Sequence, residues 1–413
     1  MRRGSLCLLA ALVLQALGAG AARARPSDLE RVAAKADQGV RAIVKRLSGA
    51  PFGGRDNNTP ESDRAQEFLI RKLKRLGAGI DATATGDDAF RQGFVQSDQI
   101  GTNLLALIRG RELPDEYVVV GAHYDHLDSR SVASGACSRN TPPGGVVCPG
   151  ATDNAAGVGA VLGIGRALRK LPQPPRRSVV LALWDAEEDG LAGSLHYVLH
   201  PLVPLDKTVA YVNFDIQGAN LLPSLRRTSF AIGAETGGSA LGAFVGEAVA
   251  VEALDALPVS YIFGQLRSDY ANFVDRGRVP TVFFGDSTGG CYHTTGDTFE
   301  VVDTRKLAIQ TRIGFRVTAA LADTGSPPPF RGPSPAAASF IDALSISRVF
   351  TTAQVDLMLF PPADRMILEQ IQRDLTSIVQ AGPDAFGPEQ VGVLLGAALQ
   401  GIGALTRLPC QAF

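Results

Sequence analysis

Tyr117-Val118-Val119-Val120-Gly121-Ala122-His123-Tyr124-Asp125 runs from an unbroken apolar stretch straight into a histidine and an acid. Residues 117–122 show no alternation of polar and apolar side chains, which is the pattern of a strand covered on both faces. His123 and Asp125 then fall at the carboxyl edge of a buried sheet, where open α/β sheets hold their ligands.

The same grammar repeats outward. Strand candidates at 103–108, 178–184, 209–214, 229–232 and 281–284 are separated by helical spacing at 155–171, 191–199, 240–253 and 305–321. This alternation predicts a three-layer α/β/α sandwich around a mostly parallel mixed sheet. Ahead of it, 28–47 and 64–76 have helical spacing, and Gly53-Gly54-Arg55-Asp56-Asn57-Asn58 between them reads as a turn. Behind it, Ser326-Pro327-Pro328-Pro329 reads as a linker, and helical spacing resumes at 352–380 and 388–401. The expected division is a leader at 1–24, a catalytic domain at 25–323, a Pro-rich linker at 324–340 and a helical appendage at 341–413.

The chain has 413 residues, 45% of them hydrophobic, and a net charge of -1. It therefore has no basic field for nucleic acid or an anionic membrane. Arg2 and Arg3, the apolar run 6–19 and Ala22-Arg23-Ala24 read as a secretory leader, so the expected location is periplasmic or secreted. The run of about 14 residues is too short to span a bilayer, which needs about 20, and no later stretch is long enough. Of five cysteines, Cys7 would leave with the leader, exposing Cys137, Cys148, Cys291 and Cys410 to an oxidising compartment. Cys137 and Cys148 flank Thr141-Pro142-Pro143-Gly144-Gly145, which makes a local disulfide the first choice among three pairings. Asn57-Asn58-Thr59 fits a glycosylation sequon, meaningful only in a eukaryotic secretory pathway.

Past His123, the chain places Asp153-Asn154, Glu187-Glu188, Asp215 and His293 in order, at strand ends or in loops. Two imidazoles, His123 and His293, with three carboxylates, Asp153, Glu188 and Asp215, suit a pair of zinc ions if one carboxylate bridges. Metals about 3.5–4 Å apart polarise a carbonyl and hold a hydroxide, which suits amide hydrolysis. Glu187 is then free as general base and acid, and Asp125 can accept the other ring N–H of His123. Singly these motifs are weak, because most such triplets and acidic pairs are packed or solvated structure. Their conjunction carries the inference.

At this point the residues resemble a family, the secreted dizinc aminopeptidases related to glutamate carboxypeptidases and glutaminyl cyclases. The likeness spans about 51–322 and rests on Gly121-Ala122-His123-Tyr124-Asp125, Gly150-Ala151-Thr152-Asp153-Asn154-Ala155-Ala156-Gly157, Glu187-Glu188-Asp189-Gly190-Leu191-Ala192-Gly193-Ser194, Asn213-Phe214-Asp215-Ile216-Gln217-Gly218 and His293-Thr294-Thr295-Gly296-Asp297-Thr298. It implies one zinc on His123 and Asp215, a second on Glu188 and His293, Asp153 as bridge, Glu187 as base and a cis Asp153-Asn154 peptide. It also implies Tyr292 as an oxyanion donor and Arg267 as a substrate contact. The expected reaction is hydrolysis of the N-terminal bond of peptides with a free amine, which Glu187 or Asp215 would accept. One departure concerns Cys291: relatives can pair this cysteine with one shortly after the histidine, but Thr294, Thr295 and Gly296 follow here, which leaves its partner open.

Rival readings are thinner. Gly285-Asp286-Ser287-Thr288-Gly289 fits a serine nucleophile elbow, but an elbow must open a helix and no histidine follows His293. Gly157-Val158-Gly159 completes no dinucleotide fingerprint. His196 and His200 read as an exposed helix face, and His126 as a loop residue or one supporting a ligand from behind. A glutamate carboxypeptidase needs more basic residues than Arg226, Arg227 and Arg267 supply between 216 and 268. A glutaminyl cyclase would need one zinc where His123 and Asp215 offer two, and a non-catalytic binding protein should have lost ligands or base.

Overall fold

Val118, Val119 and Val120 have no exposed surface, as a strand covered on both faces requires. They belong to a computed structural model that describes residues 26–138 and 147–413. The expected leader and the Thr141-Gly145 loop lie outside the described residues. Among the described residues nine strands form one sheet: β1 (Ala78–Gly79), β2 (Arg91–Gln96), β3 (Gln99–Ile108), β4 (Leu113–His123), β5 (Arg177–Trp184), β6 (Thr208–Phe214), β7 (Thr228–Ile232), β8 (Asp255–Val259) and β9 (Thr281–Gly285). Their order is β1-β3-β5-β4-β6-β9-β7-β8, with β2 paired to β3. The centre, β5-β4-β6-β9, is parallel, while β1, β2, β3 and β7 pair antiparallel at the flanks. Only parallel strands joined by helices deliver several strand ends to one edge.

The pleat of β4 separates two cores. Val118, Val120 and Ala122 pack with helices Val40–Leu47, Ala156–Leu168 and Thr304–Asp323. Val119 faces the other way, with Leu105, Val180, Tyr211 and Trp184. That second core continues without a break into Ile346, Phe350, Leu368 and Leu394 of the C-terminal helices, so these helices are packed onto the sheet layer.

Several elements differ from expectation. The stretch 28–47 is two helices, Pro26–Ala33 and Val40–Leu47, parted at Gly39, whose φ of 79° suits glycine. Helical spacing at 352–380 is broken by Pro361-Pro362: proline lacks the N–H that a helix interior needs, so Pro362–Ala381 begins there. The helix before it, Phe340–Ala353, starts at a capping box in which Ser339 and Asp342 satisfy each other's backbone N–H. Sequence patterning also missed β8, where Pro258 argues against a strand; it is the edge strand of the sheet, the place that tolerates proline.

Candidate metal centre

Four parallel strands end at the site. His123 closes β4, Glu187 and Glu188 follow β5, Asp215 follows β6, and the loop after β9 carries His293. Asp153 comes from the segment 151–155 ahead of helix Ala156–Leu168. Asn154 explains the local shape: its side chain donates to Phe214 O at 2.9 Å and accepts from Gly157 N at 3.0 Å. A Cβ at position 157 would sit 2.1 Å from Asn154 Oδ1, so only glycine fits. The Asp153-Asn154 peptide is cis. Ala186, Ile216 and His293 adopt left-handed φ of 52°, 50° and 52°, an unfavourable conformation for a β-branched isoleucine that turns the chain sharply beside each group of ligands.

The side chains converge. His123 Nε2 lies 3.3 Å from Asp153 Oδ1 and 3.3 Å from Asp215 Oδ1. His293 Nε2 lies 3.4 Å from Asp153 Oδ2 and 3.0 Å from Glu188 Oε2. The two oxygens of Asp153 thus face different imidazoles. Glu187 stands aside, its Oε2 3.9 Å from His123 Nε2. Asp125 approaches His123 Nδ1 with its backbone carbonyl at 3.2 Å and Oδ1 at 3.4 Å, and its Oδ2 accepts from Glu188 N at 3.2 Å. Arg267 donates to Tyr292 OH at 3.0 Å, and the Tyr292 ring stacks on His293 with centroids 3.8 Å apart.

His126, expected as a loop residue or one supporting a ligand, faces the site. Its Nδ1 lies 2.6 Å from Glu188 Oε1 and 3.9 Å from Asp153 Oδ1, and it has no exposed surface. The donors fall into His123-Asp153-Asp215, His126-Asp153-Glu188 and His123-Glu187-Glu188, each with atoms within 4.8 Å of one another and able to hold a metal ion. The donor set fits a divalent cation on its chemistry. Imidazole and carboxylate are zinc ligands, and His293 Nε2 is a nitrogen aimed at the carboxylates of Glu188 and Asp153. The signal for His126 was present in His-Tyr-Asp-His, two imidazoles three residues apart, but only the fold brings the second one back.

The acids and bases differ in charge state. Burial pushes the Glu187 carboxyl well above its usual range, with His123 opposing and Asp215 and Glu188 adding repulsion. Burial and Asp153 push Glu188 the same way, but His126 and His293 outweigh them and hold it at about 2.

Two supports were not legible. Arg55, read as turn material, is wholly buried and donates to Leu47 O, Tyr124 O, Pro149 O and Gly150 O at 2.8–3.1 Å. It ties together the backbone beside His123 and the backbone leading to Asp153, and burial lowers its pKa to about 10 against the pull of Asp125 and Asp153. Asp297 accepts from Thr152 N, Thr152 Oγ1 and Asp153 N at 2.8–3.1 Å, fixing Asp153 from below. The rival serine elbow lacks its helix: turns follow β9. His196 and His200 form a pair at 4.7 Å, with Phe94 stacked on His196.

The profile of peptidase family M28 matches residues 103–317. A probable glutamate carboxypeptidase of Zea mays is 29% identical over 283 residues, 63% of this chain and 36% of that protein. Leupeptin-inactivating enzyme 1 of Streptomyces exfoliatus is 29% identical over 207 residues, 50% of this chain and 40% of that protein. The chain therefore spans well under half the length of these curated relatives. Among solved structures, the LapA aminopeptidase of Legionella pneumophila superposes with a TM-score of 0.56 at 17% identity, over 72% of this chain and 74% of that one. Glutaminyl cyclase of Porphyromonas gingivalis gives 0.54 at 17% identity, over 68% and 96%. Likeness at this identity concerns the fold.

Proposed function

This chain belongs to peptidase family M28, and we propose that it is a two-zinc aminopeptidase. The carrying observation is Asp153, whose Oδ1 and Oδ2 face His123 and His293 at 3.3 and 3.4 Å. His123, Asp153 and Asp215 would hold one ion; Asp153, Glu188 and His293, joined by His126, would hold the other. Two such ions supply Lewis acidity and an activated water. The chain's own groups do the rest. Glu187 takes the water's proton and returns it to the leaving amine. Asp125 orients His123, while Arg267 positions the Tyr292 hydroxyl, which donates to the carbonyl oxygen as charge develops. Four carboxylates and a single arginine line this end of the cavity, a charge balance that suits a free ammonium. Export, with peptides carrying a free N-terminus as substrates, completes the reading; two disulfides fit an oxidising compartment. Among the described residues no helix is long and apolar enough to cross a membrane.

The test combines metal analysis of the purified protein with hydrolysis of unblocked and N-acetylated aminoacyl amides, before and after chelation. About two zinc ions per chain and chelator-sensitive turnover of only the unblocked set are expected. Metal-independent turnover, or equal turnover of the acetylated set, would overturn the reading.

A further inference from the structure

The carboxylates Asp153, Glu187, Glu188 and Asp215 line one end of a cavity of about 1350 Å³, mouth included, that runs on between the sheet and the C-terminal helices. Leu222, Phe230 and Phe283 supply its floor, and Ile346, Phe350 and Leu405 its roof. Among the described residues, no lining side chain is charged apart from Arg267 and the four carboxylates. Interiors are otherwise close-packed, and apolar space of this size forfeits contacts unless something fills it. The occupant's chemistry follows from the wall. Among the described residues a glutamate side chain would find no second cation, and a peptide backbone would meet few partners for its N–H and C=O groups. Leu, Ile, Val, Phe and Ala side chains outnumber the few uncharged polar ones, Gln265, Ser287, Thr288 and Gln354, so hydrocarbon matches the wall best, and the cavity's continuity with the candidate metal end makes its occupant part of the substrate.

We propose that this cavity takes a hydrocarbon chain longer than any natural aliphatic side chain, carried on the residue whose carbonyl meets the metals, and that the C-terminal helices set this specificity. The proposal rests on the aminopeptidase reading for the reaction, though not for the binding.

The experiment uses 4-nitroanilides of α-amino acids with unbranched side chains of one, four, eight and twelve carbons, and the matching N-acyl anilides that lack the amine. With the metal-loaded full chain, kcat/KM of the free-amine series should keep rising beyond four carbons, by up to about fourfold per methylene while the chain stays buried. Ala353→Trp and Ala398→Phe, which fill the roof, should cut the gain for the long chains at least tenfold and leave the one-carbon substrate unchanged. Calorimetric binding of the amino acid amides to metal-loaded Glu187→Gln protein supplies a readout without turnover. Affinity that does not climb past four carbons, or climbs equally in the roof variants, overturns the cavity proposal. If affinity climbs with chain length and is lost in the roof variants, the cavity proposal is supported; should the wild type then cleave none of the free-amine series, or only the N-acyl series, it is the aminopeptidase reading that falls.

Discussion

His126 and Glu187 both face the candidate metal site, and their substitutions should separate binding from chemistry. Glu187→Gln removes the proton carrier while keeping shape and hydrogen-bonding size. We expect kcat to fall by about 10²–10⁴ with zinc content unchanged; near wild-type turnover would dismiss Glu187 as the base. His126→Ala removes an imidazole that meets Glu188 at 2.6 Å. Zinc titration against a competing chelator should show one of the two sites weakened by at least the ~10–100-fold that loss of a supporting group costs, with the other unaffected. Two equal, unchanged affinities would return His126 to a packing role. At this scale the sequence was informative where polar residues interrupt apolar strands, and His123, Glu187, Glu188 and Asp215 stand out for that reason. Arg55 did not, because a buried arginine that binds only backbone carbonyls leaves no acidic partner to look for.

At the scale of elements, the junction between the sheet and helix Phe340–Ala353 is polar and buried. Asp342 accepts from Ser260 N at 2.5 Å, Ser260 Oγ at 2.7 Å and Ser339 N at 2.6 Å. Beside it, Glu235 accepts from Tyr261 N at 2.6 Å, and burial, together with the charge of Asp342, raises its pKa to about 7 from 4.5. The folded protein therefore holds this proton more tightly than the unfolded chain does. The stability linked to it is complete below about pH 4.5 and is lost as pH rises through about 7. Glu235→Gln should thus melt at a higher temperature than wild type at pH 8.5, with the difference shrinking or reversing at pH 5. A pH-independent difference would show that Glu235 stays charged in the fold. Helix Phe340–Ala353 went unread in the sequence, because it starts directly after the Pro-rich stretch.

Across the whole molecule, Cys137 pairs with Cys148, as expected for the local loop, and Cys291 pairs with Cys410. The second bridge closes 119 residues and clasps the C-terminal tail to the loop that carries Tyr292 and His293. Asn220 reinforces it by donating to the Phe413 backbone oxygen at 3.1 Å. Loop-entropy arguments assign a bridge of this span up to about 5 kcal/mol. The double variant Cys291→Ser, Cys410→Ser should lower urea unfolding stability by about 2–5 kcal/mol and weaken zinc retention through His293. An unchanged midpoint would mean that the C-terminal helices hold the tail by packing alone.

The six principal strands, their alternation with helices and the five proposed ligands were readable from the sequence, because burial on both faces writes a continuous apolar run and a metal site must interrupt it with imidazole or carboxylate. What only the tertiary structure decided are contacts between segments far apart in the chain. These are the return of His126 to Glu188, the anchoring of Asp153 by Asp297 across 144 residues, the pairing of Cys291, and the C-terminal helices roofing the cavity. Periodicity reports which face of an element is buried, but carries no information about which other element covers it.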